Sequence, residues 1–274
     1  MKVLFFYNPN KVSLEHIKEH VIPLFKKYKI EILNIFTAGT EVTEKVALMA
    51  DYYVVFGGDG TVLRVSELSA DYSKPIIGIN MGNLGFLTAY SETEIELAAK
   101  EISKESITFS ERMMLECIIA NKKFLALNDI VIQKSQPLRT INLDVLSSNN
   151  ILYSFKGDGI IVSTPTGSTA YGLSAGGAII DPNLNAIEII PLSPHALNIR
   201  PFILSPEKKI VIKIKSDEME LAYVTADGDI IHRLELNTSL TITSSKKKVK
   251  LAQKLGDNFC NVLNYKLAFG RRFE

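Results

Sequence analysis

The apolar run Tyr52 to Phe56 ends directly in Gly57, Gly58, Asp59, Gly60 and Thr61. Glycines let backbone N–H groups approach a ligand closely, and a helix beginning at Thr61 would add the positive end of its dipole, so this bend suits phosphate. Asp59 is the odd element in it. A carboxylate beside a polyphosphate is repelled unless it has a task, and two tasks fit: binding Mg2+ or taking a proton from an attacking hydroxyl. Neither a Walker A sequence nor GxGxxG occurs, so neither ordinary nucleotide loop accounts for a phosphate site.

A second cluster lies further along: Gly157, Asp158 and Gly159, a short strand Ile160 to Ser163, then Thr164, Pro165, Thr166, Gly167, Ser168, Thr169, Ala170 and Tyr171. Its hydroxyls and bare backbone suit phosphate, ribose or purine edges, and Tyr171 offers a stacking face. Gly172, Leu173, Ser174, Ala175 and Gly176 also match the GxSxG hydrolase pattern, with Asp181 and His195 following in a suitable order. A nucleophile elbow needs a strand ending just before its serine, whereas the strand read here ends near Ser163.

Elements that can position these loops follow from hydrophobic period. Val3–Tyr7 reads as a buried strand and Ile30–Ile35, Tyr52–Phe56 and Ile76–Ile79 as further strands; between them Leu14, Ile17, Val21, Leu24 and Phe25, and then Thr43 to Ala50, recur at helical spacing. Alternation of this kind is the pattern of a parallel sheet covered by helices. Ser91 with Glu94 makes a capping box for a helix reaching about Ile102. From about Ile107 the period becomes two, as in Ile141, Leu143, Val145 and Ile210, Ile212, Ile214, which predicts antiparallel strands with one wet face. Phe259, Val262, Leu263 and Leu267 return to helical spacing before Gly270, so the tail is expected to pack back on the first domain. The expected division is 1–106 with 252–274, an α/β domain, and 107–251, a β-rich one.

Composition narrows the class. An apolar fraction of 46% with 22% charged residues fits a soluble globular protein, and a net charge of +1 argues against a broad basic face for nucleic acid. The apolar start, Met1 to Tyr7, is too short for a signal-peptide core or a spanning helix, and no amphipathic basic helix offers a membrane contact, so a cytoplasmic protein is expected. Cys117 and Cys260 have no CxxC partner and are expected to be reduced and buried; His16 and His20 read as a solvated helix face; Lys246, Lys247 and Lys248 read as an exposed hairpin turn.

The segments GGDGTVLR at Gly57–Arg64, NMGNLGFL at Asn80–Leu87, ALND at Ala126–Asp129, DGIIVSTPTGSTAYGLSAGG at Asp158–Gly177 and PLSPHALNIRP at Pro191–Pro201 resemble, in order and spacing, the NAD kinase family. The first motif is shared with lipid kinases of the diacylglycerol and sphingosine type; the long Thr/Gly/Ser block is more specific. The resemblance implies an N-terminal Rossmann-like α/β domain and a C-terminal β-sandwich-like domain with the active site in the crevice between them. It also implies a homodimer or homotetramer, and transfer of the γ-phosphoryl of ATP, with Mg2+, to the adenosine 2'-hydroxyl of NAD.

By the same resemblance Asp59 is the proton acceptor, and Gly57, Gly58, Gly60, Thr61 and Arg64 meet the ATP phosphates, with Gly60 also beside NAD. Phe86 lies beside adenine, Asn128 and Asp129 hold adenosine, and Thr169, Ala170, Tyr171 and Ser174 line the NAD site. Asp158 corresponds to an acid that binds the nicotinamide half across a subunit boundary, and Lys156 to a position often basic in relatives. No metal ligands are assigned. Two positions depart from the pattern: Asp129 stands where Glu is common, one methylene shorter, and Asp229 stands where many relatives have Gln after Asp227 and Gly228. A non-catalytic NAD-binding regulator, the alternative of another class, would be expected to have lost Asp59.

Overall fold

The computed structural model of the chain describes residues 1–82, 85–135, 139–215, 222–234, 238–254 and 259–268. It divides into two units, Met1–Arg112 with Lys248–Glu274, and Met113–Lys247.

The first unit opens with β1 (Lys2–Tyr7), α1 (Leu14–His16), a π-helical turn (Ile17–Val21), α2 (Ile22–Lys27) and β2 (Glu31–Thr37). There follow α3 (Glu44–Met49), β3 (Tyr52–Gly57), α4 (Asp59–Tyr72), β4 (Ile76–Asn80), the two-residue β5 (Tyr90–Ser91) and α5 (Ile95–Ser103). The order β2-β1-β3-β4 is parallel throughout. Both β3 and β4 are almost wholly buried, as strands covered on both faces must be. Phe5, Phe25 and Phe56 meet edge to face, with ring centroids 4.8 and 4.9 Å apart for the two pairs made by Phe5. This packing fixes the strand end that delivers Gly57. The expected capping box is formed: the Ser91 N–H donates to Glu94 Oε2 at 3.0 Å, and α5 follows.

The second unit is β-rich. Its strands are β6 (Thr108–Ile119), β7 (Lys122–Ala126), β8 (Asp129–Lys134), β9 (Ile141–Ser147), β10 (Asn150–Gly157) and β11 (Gly159–Ser163). After the short α6 (Tyr171–Ser174) come β12 (Ile187–Leu192), β13 (Phe202–Leu204), β14 (Ile210–Lys215), β15 (Ala222–Ala226), β16 (Asp229–Leu234) and β17 (Ser239–Gln253). Two antiparallel arrangements result, β10-β9-β14-β17 and β13-β12-β11-β8-β15-β16. The residues read at period two, Ile141, Leu143, Val145, Ile210, Ile212 and Ile214, all enter one core with Ile130, Ile132, Ile160, Val162, Ile187 and Ile189 from the other sheet. Two sheets that share an apolar core in this way form a sandwich.

The chain closes with α7 (Phe259–Leu267), in the first unit, where Leu263 is buried; Gly270, read as its stop, lies outside the described residues. The unit divisions fall inside β6 and β17, between Arg112 and Met113 and between Lys247 and Lys248. Three sequence expectations are corrected. Lys246–Lys248 are exposed but lie within β17, not in a turn, since alternation continues through Val249 and Leu251. Cys260 is exposed on α7, whereas Cys117 is buried and its thiol pushed up to about 12 by burial. The phosphate-type helix starts at Asp59, two residues earlier than Thr61, because extended Gly58 is its N-cap.

Candidate functional site

In the first unit, β3 runs into Gly57 and α4 begins at once, so Asp59 occupies the first helical position. The Gly58 N–H donates to Thr61 Oγ1 at 3.2 Å, while Gly58 O receives the N–H groups of Thr61 and Val62. The N–H groups of Asp59 and Gly60, the first two of the helix, have no intrahelical acceptor by geometry, and Gly60 is exposed with open space where a side chain would stand. Arg64, one turn on, is exposed.

The Asp59 carboxylate is held by the loop after β4. Its Oδ2 accepts the Phe86 N–H at 2.8 Å and its Oδ1 the Leu87 N–H at 2.9 Å. The approach requires glycine at 85, where a Cβ would overlap Oδ1 and lie 2.8 Å from the Asp59 Cγ. Asn83 and Leu84 of the same motif lie outside the described residues. Lys266, from the last turn of α7, sits 3.7 Å from Asp59 Oδ2 and 4.2 Å from the Phe86 ring centroid. Burial lowers its pKa, and the attraction of Asp59 opposes that only in part. Phe86 and Lys266 line a cavity of about 920 Å³ with Asn80, Gly82, Ser91, Tyr265 and Leu267. Asp59 keeps 32% of its side chain exposed.

In the second unit, three strand ends converge. Asp129 at the start of β8 pairs with Ser163 at the end of β11, and Ala226 at the end of β15 pairs with Ile130. Asp227 and Gly228 then turn the chain into β16 with φ of +50 and +90, the two-residue Asp-Gly hairpin geometry. The Asp227 carboxylate accepts three backbone N–H groups, from Leu127 at 2.8 Å, Asn128 at 2.7 Å and Asp129 at 3.2 Å. Asp129 is only 5% exposed; burial first and the Asp227 charge second raise its pKa to about 7. Burial likewise raises Asp227 to about 6, against its three N–H donors.

A cavity of about 370 Å³ is lined there by Asn128, Asp129, Ala170, Tyr171, Thr225, Asp227 and neighbouring residues. Of the residues singled out in the sequence, it brings Asn128, Asp129, Ala170 and Tyr171 together. Thr169 and Ser174 stand in the adjoining 3-10 turn and in α6, outside its lining. Many hydroxyls of the Thr/Gly/Ser block hold the loop itself: Thr164 Oγ1 donates to Leu127 O at 2.6 Å and accepts the Gly167 N–H, and Ser168 Oγ donates to Pro165 O at 2.7 Å. Gly167 is required because a Cβ would overlap Asn128 O.

Lys156 lines a different cavity of about 400 Å³ with Asp144, Phe155 and Lys215. Asp158 pairs with Lys134 at 2.6 Å, which holds its carboxyl below the usual range. Asp229 opens β16 and is exposed. Ser174 stands 11 positions after the end of β11 on a four-residue helix, so GxSxG here is no strand-to-helix elbow.

Two residues escaped the sequence reading. Asp227 had a signal, an Asp-Gly pair between period-two runs, which marks a turn without revealing that its carboxylate holds Leu127 to Asp129. Lys266 had none, because the periodicity of the tail reports only its apolar face. Among the described residues no three His, Cys, Asp or Glu side chains gather as metal ligands, and no helix is long and apolar enough to cross a membrane.

Comparison with known proteins adds the following. The ATP-NAD kinase N-terminal domain matches residues 7–107 and the ATP-NAD kinase C-terminal domain residues 127–254. An NAD kinase from Petrotoga mobilis is 53% identical over 274 residues, covering all of both chains. One from Sulfurimonas denitrificans is 36% identical over 98% of this chain and 97% of its own. The crystal structure of an Archaeoglobus fulgidus NAD kinase in complex with ATP aligns with TM-score 0.79 and 26% identity over 96% of this chain and 98% of that one. Yeast NADH kinase complexed with NADH aligns with TM-score 0.85 over all of this chain and 89% of that one, and at 23% identity it speaks for the fold.

Proposed function

This chain belongs to the ATP-NAD kinase family, and from that premise we propose which of its residues carry the reaction. The enzyme transfers the γ-phosphoryl group of ATP to the 2'-hydroxyl of the adenosine ribose of NAD, giving NADP and ADP. Asp59 is the group that accepts the hydroxyl proton. The observation that carries this reading is its placement: a carboxylate at the start of a helix, fixed by the Phe86 and Leu87 N–H groups yet still open on one side.

Phosphoryl transfer passes through a loose transition state, so the acid is needed chiefly to orient the hydroxyl and to take a proton released late. Gly57, Gly58, Gly60 and Thr61 supply close backbone for the donor phosphates, and Arg64 a surface cation. Asn128 and Asp129 hold the adenosine, Phe86 meets the adenine, and Thr169, Ala170, Tyr171 and Ser174 line the NAD site. Lys156 and Asp158 serve the nicotinamide half. Mg2+ accompanies ATP as the counter-ion of its phosphates. We also propose a cytoplasmic homodimer or homotetramer, which sedimentation of the purified protein would measure.

Asp59→Asn keeps the shape and removes the basicity. Turnover should fall roughly 10²-fold or more while NAD binding, measured by calorimetry, is largely retained. Near-normal turnover would remove Asp59 from this role.

A further inference from the structure

The tail helix delivers a lysine that the family motifs do not account for. Lys266 is largely covered, with 20% of its side chain exposed, and its ammonium rests on the Phe86 face. Its distance of 3.7 Å from Asp59 Oδ2 is an ion pair and too long for a hydrogen bond, so its donors are not used up. Burial pulls its pKa down despite the nearby carboxylate, the mark of a cation that one partner compensates incompletely. Among the described residues it is also the only charged side chain lining the 920 Å³ cavity it shares with Asn80, Gly82, Phe86, Ser91, Tyr265 and Leu267.

A second problem meets this one. Asp59 stands at a helix N-terminus suited to phosphate, and a carboxylate and a polyphosphate repel one another at such range. A cation between them removes the conflict. We propose that Lys266 is a phosphate-binding residue of the donor site, parked on Asp59 and Phe86 until a polyphosphate arrives and then shared between that carboxylate and the phosphoryl group being moved. The inference rests on the reading of Asp59 as the group at the reacting centre. Lys266 brings charge and no proton: it screens Asp59 from the donor and anchors the transferred group, while Asp59 keeps the acceptor hydroxyl.

The test uses the full chain and tripolyphosphate, which carries the donor charge without the nucleoside. In Lys266→Met, calorimetric affinity for tripolyphosphate should fall about tenfold, the scale of one charge-assisted contact, and KM for ATP should rise by a similar factor. KM for NAD, whose adenine borders Phe86, should rise less than KM for ATP. Lys266→Arg should recover most of the loss. Asp59→Asn, by freeing the lysine, should bind tripolyphosphate more tightly than the parent whatever happens to its turnover, so failure of the Asp59 reading and failure of this one give different results. Unchanged tripolyphosphate affinity in Lys266→Met with an intact melting transition, or an equal rise in both KM values, overturns the proposal; should the Met variant not fold, Lys266→Gln is read by the same criteria.

Discussion

Two aspartates sit in opposite surroundings. Asp59 lies at the mouth of a helix, with two N–H donors and a lysine beside it and a third of its side chain still open. Asp129 lies at the start of a central strand of a sandwich, almost wholly buried, with another carboxylate, Asp227, as its neighbour. The difference follows from where each carboxyl sits. At the end of a parallel strand the chain must turn into a helix, which leaves donors for anions; at the start of an antiparallel strand a carboxyl is desolvated by the sheets around it. The first setting leaves a carboxyl open to a ligand, and the second makes a group whose charge depends on pH.

The contrast breaks most sharply at Asp227. Its three N–H partners are part-buried, and Asp227→Ala leaves all of them without that acceptor, so stability should fall by about 3 kcal/mol, read as a lowered denaturant midpoint. A loss under about 0.5 kcal/mol, the level of ordinary surface changes, would mean the turn is held by its backbone alone. The matching change in the first unit is Gly85→Ala, whose methyl would displace the Asp59 carboxylate. It should cost roughly 10²-fold in kcat, as removal of the base would, with NAD affinity kept. An unchanged kcat would show that the Phe86 and Leu87 donors do not set the reactive geometry.

The pH dependence sharpens the comparison. The folded chain holds a proton on Asp129 up to about 7 and on Asp227 up to about 6, both above the usual 3.8. More protons are then bound folded than unfolded between about pH 4 and 7, so the contribution to stability is whole below that window and is lost as pH rises through it. The slope should be at most about 1.4 kcal/mol per pH unit for one such group. Asp129→Asn should flatten it, as measured by melting transitions from pH 5 to 8; a slope equal to that of the parent would place the titration elsewhere.

Much of this was legible beforehand. The strand that delivers Gly57, the alternating faces that fill the sandwich core, and the capping box at Ser91 are local in sequence, so periodicity and turn chemistry suffice to see them. The start of α4 was misplaced because a glycine N-cap carries no side-chain signal. Asp227 and Lys266 were missed for a stronger reason: the groups they meet lie 98 to 100 and 207 residues away in the chain, and nothing local announces such a meeting. Conversely, the hydroxyl-rich block read as a ligand surface spends several of its hydroxyls on backbone groups, its own at Pro165 and Gly167 and those of Leu127 and Ile180, because a loop so rich in small residues needs hydrogen bonds to keep one shape.

Tyr171 gives the smallest expected effect. It opens α6, borders the 370 Å³ cavity with Asn128 and Asp129, and is 41% exposed, so truncating it disturbs little packing. If its ring stacks on the ligand, Tyr171→Ala should raise KM for NAD by about five- to tenfold, roughly 1 kcal/mol, and leave KM for ATP alone, while Tyr171→Phe behaves as the parent. Equal loss in the Phe variant would assign the contact to the hydroxyl. Equal loss in both KM values would mean that this residue shapes the whole loop, and the separation between a chemical region around Asp59 and a recognition region around Asp129 would fail with it.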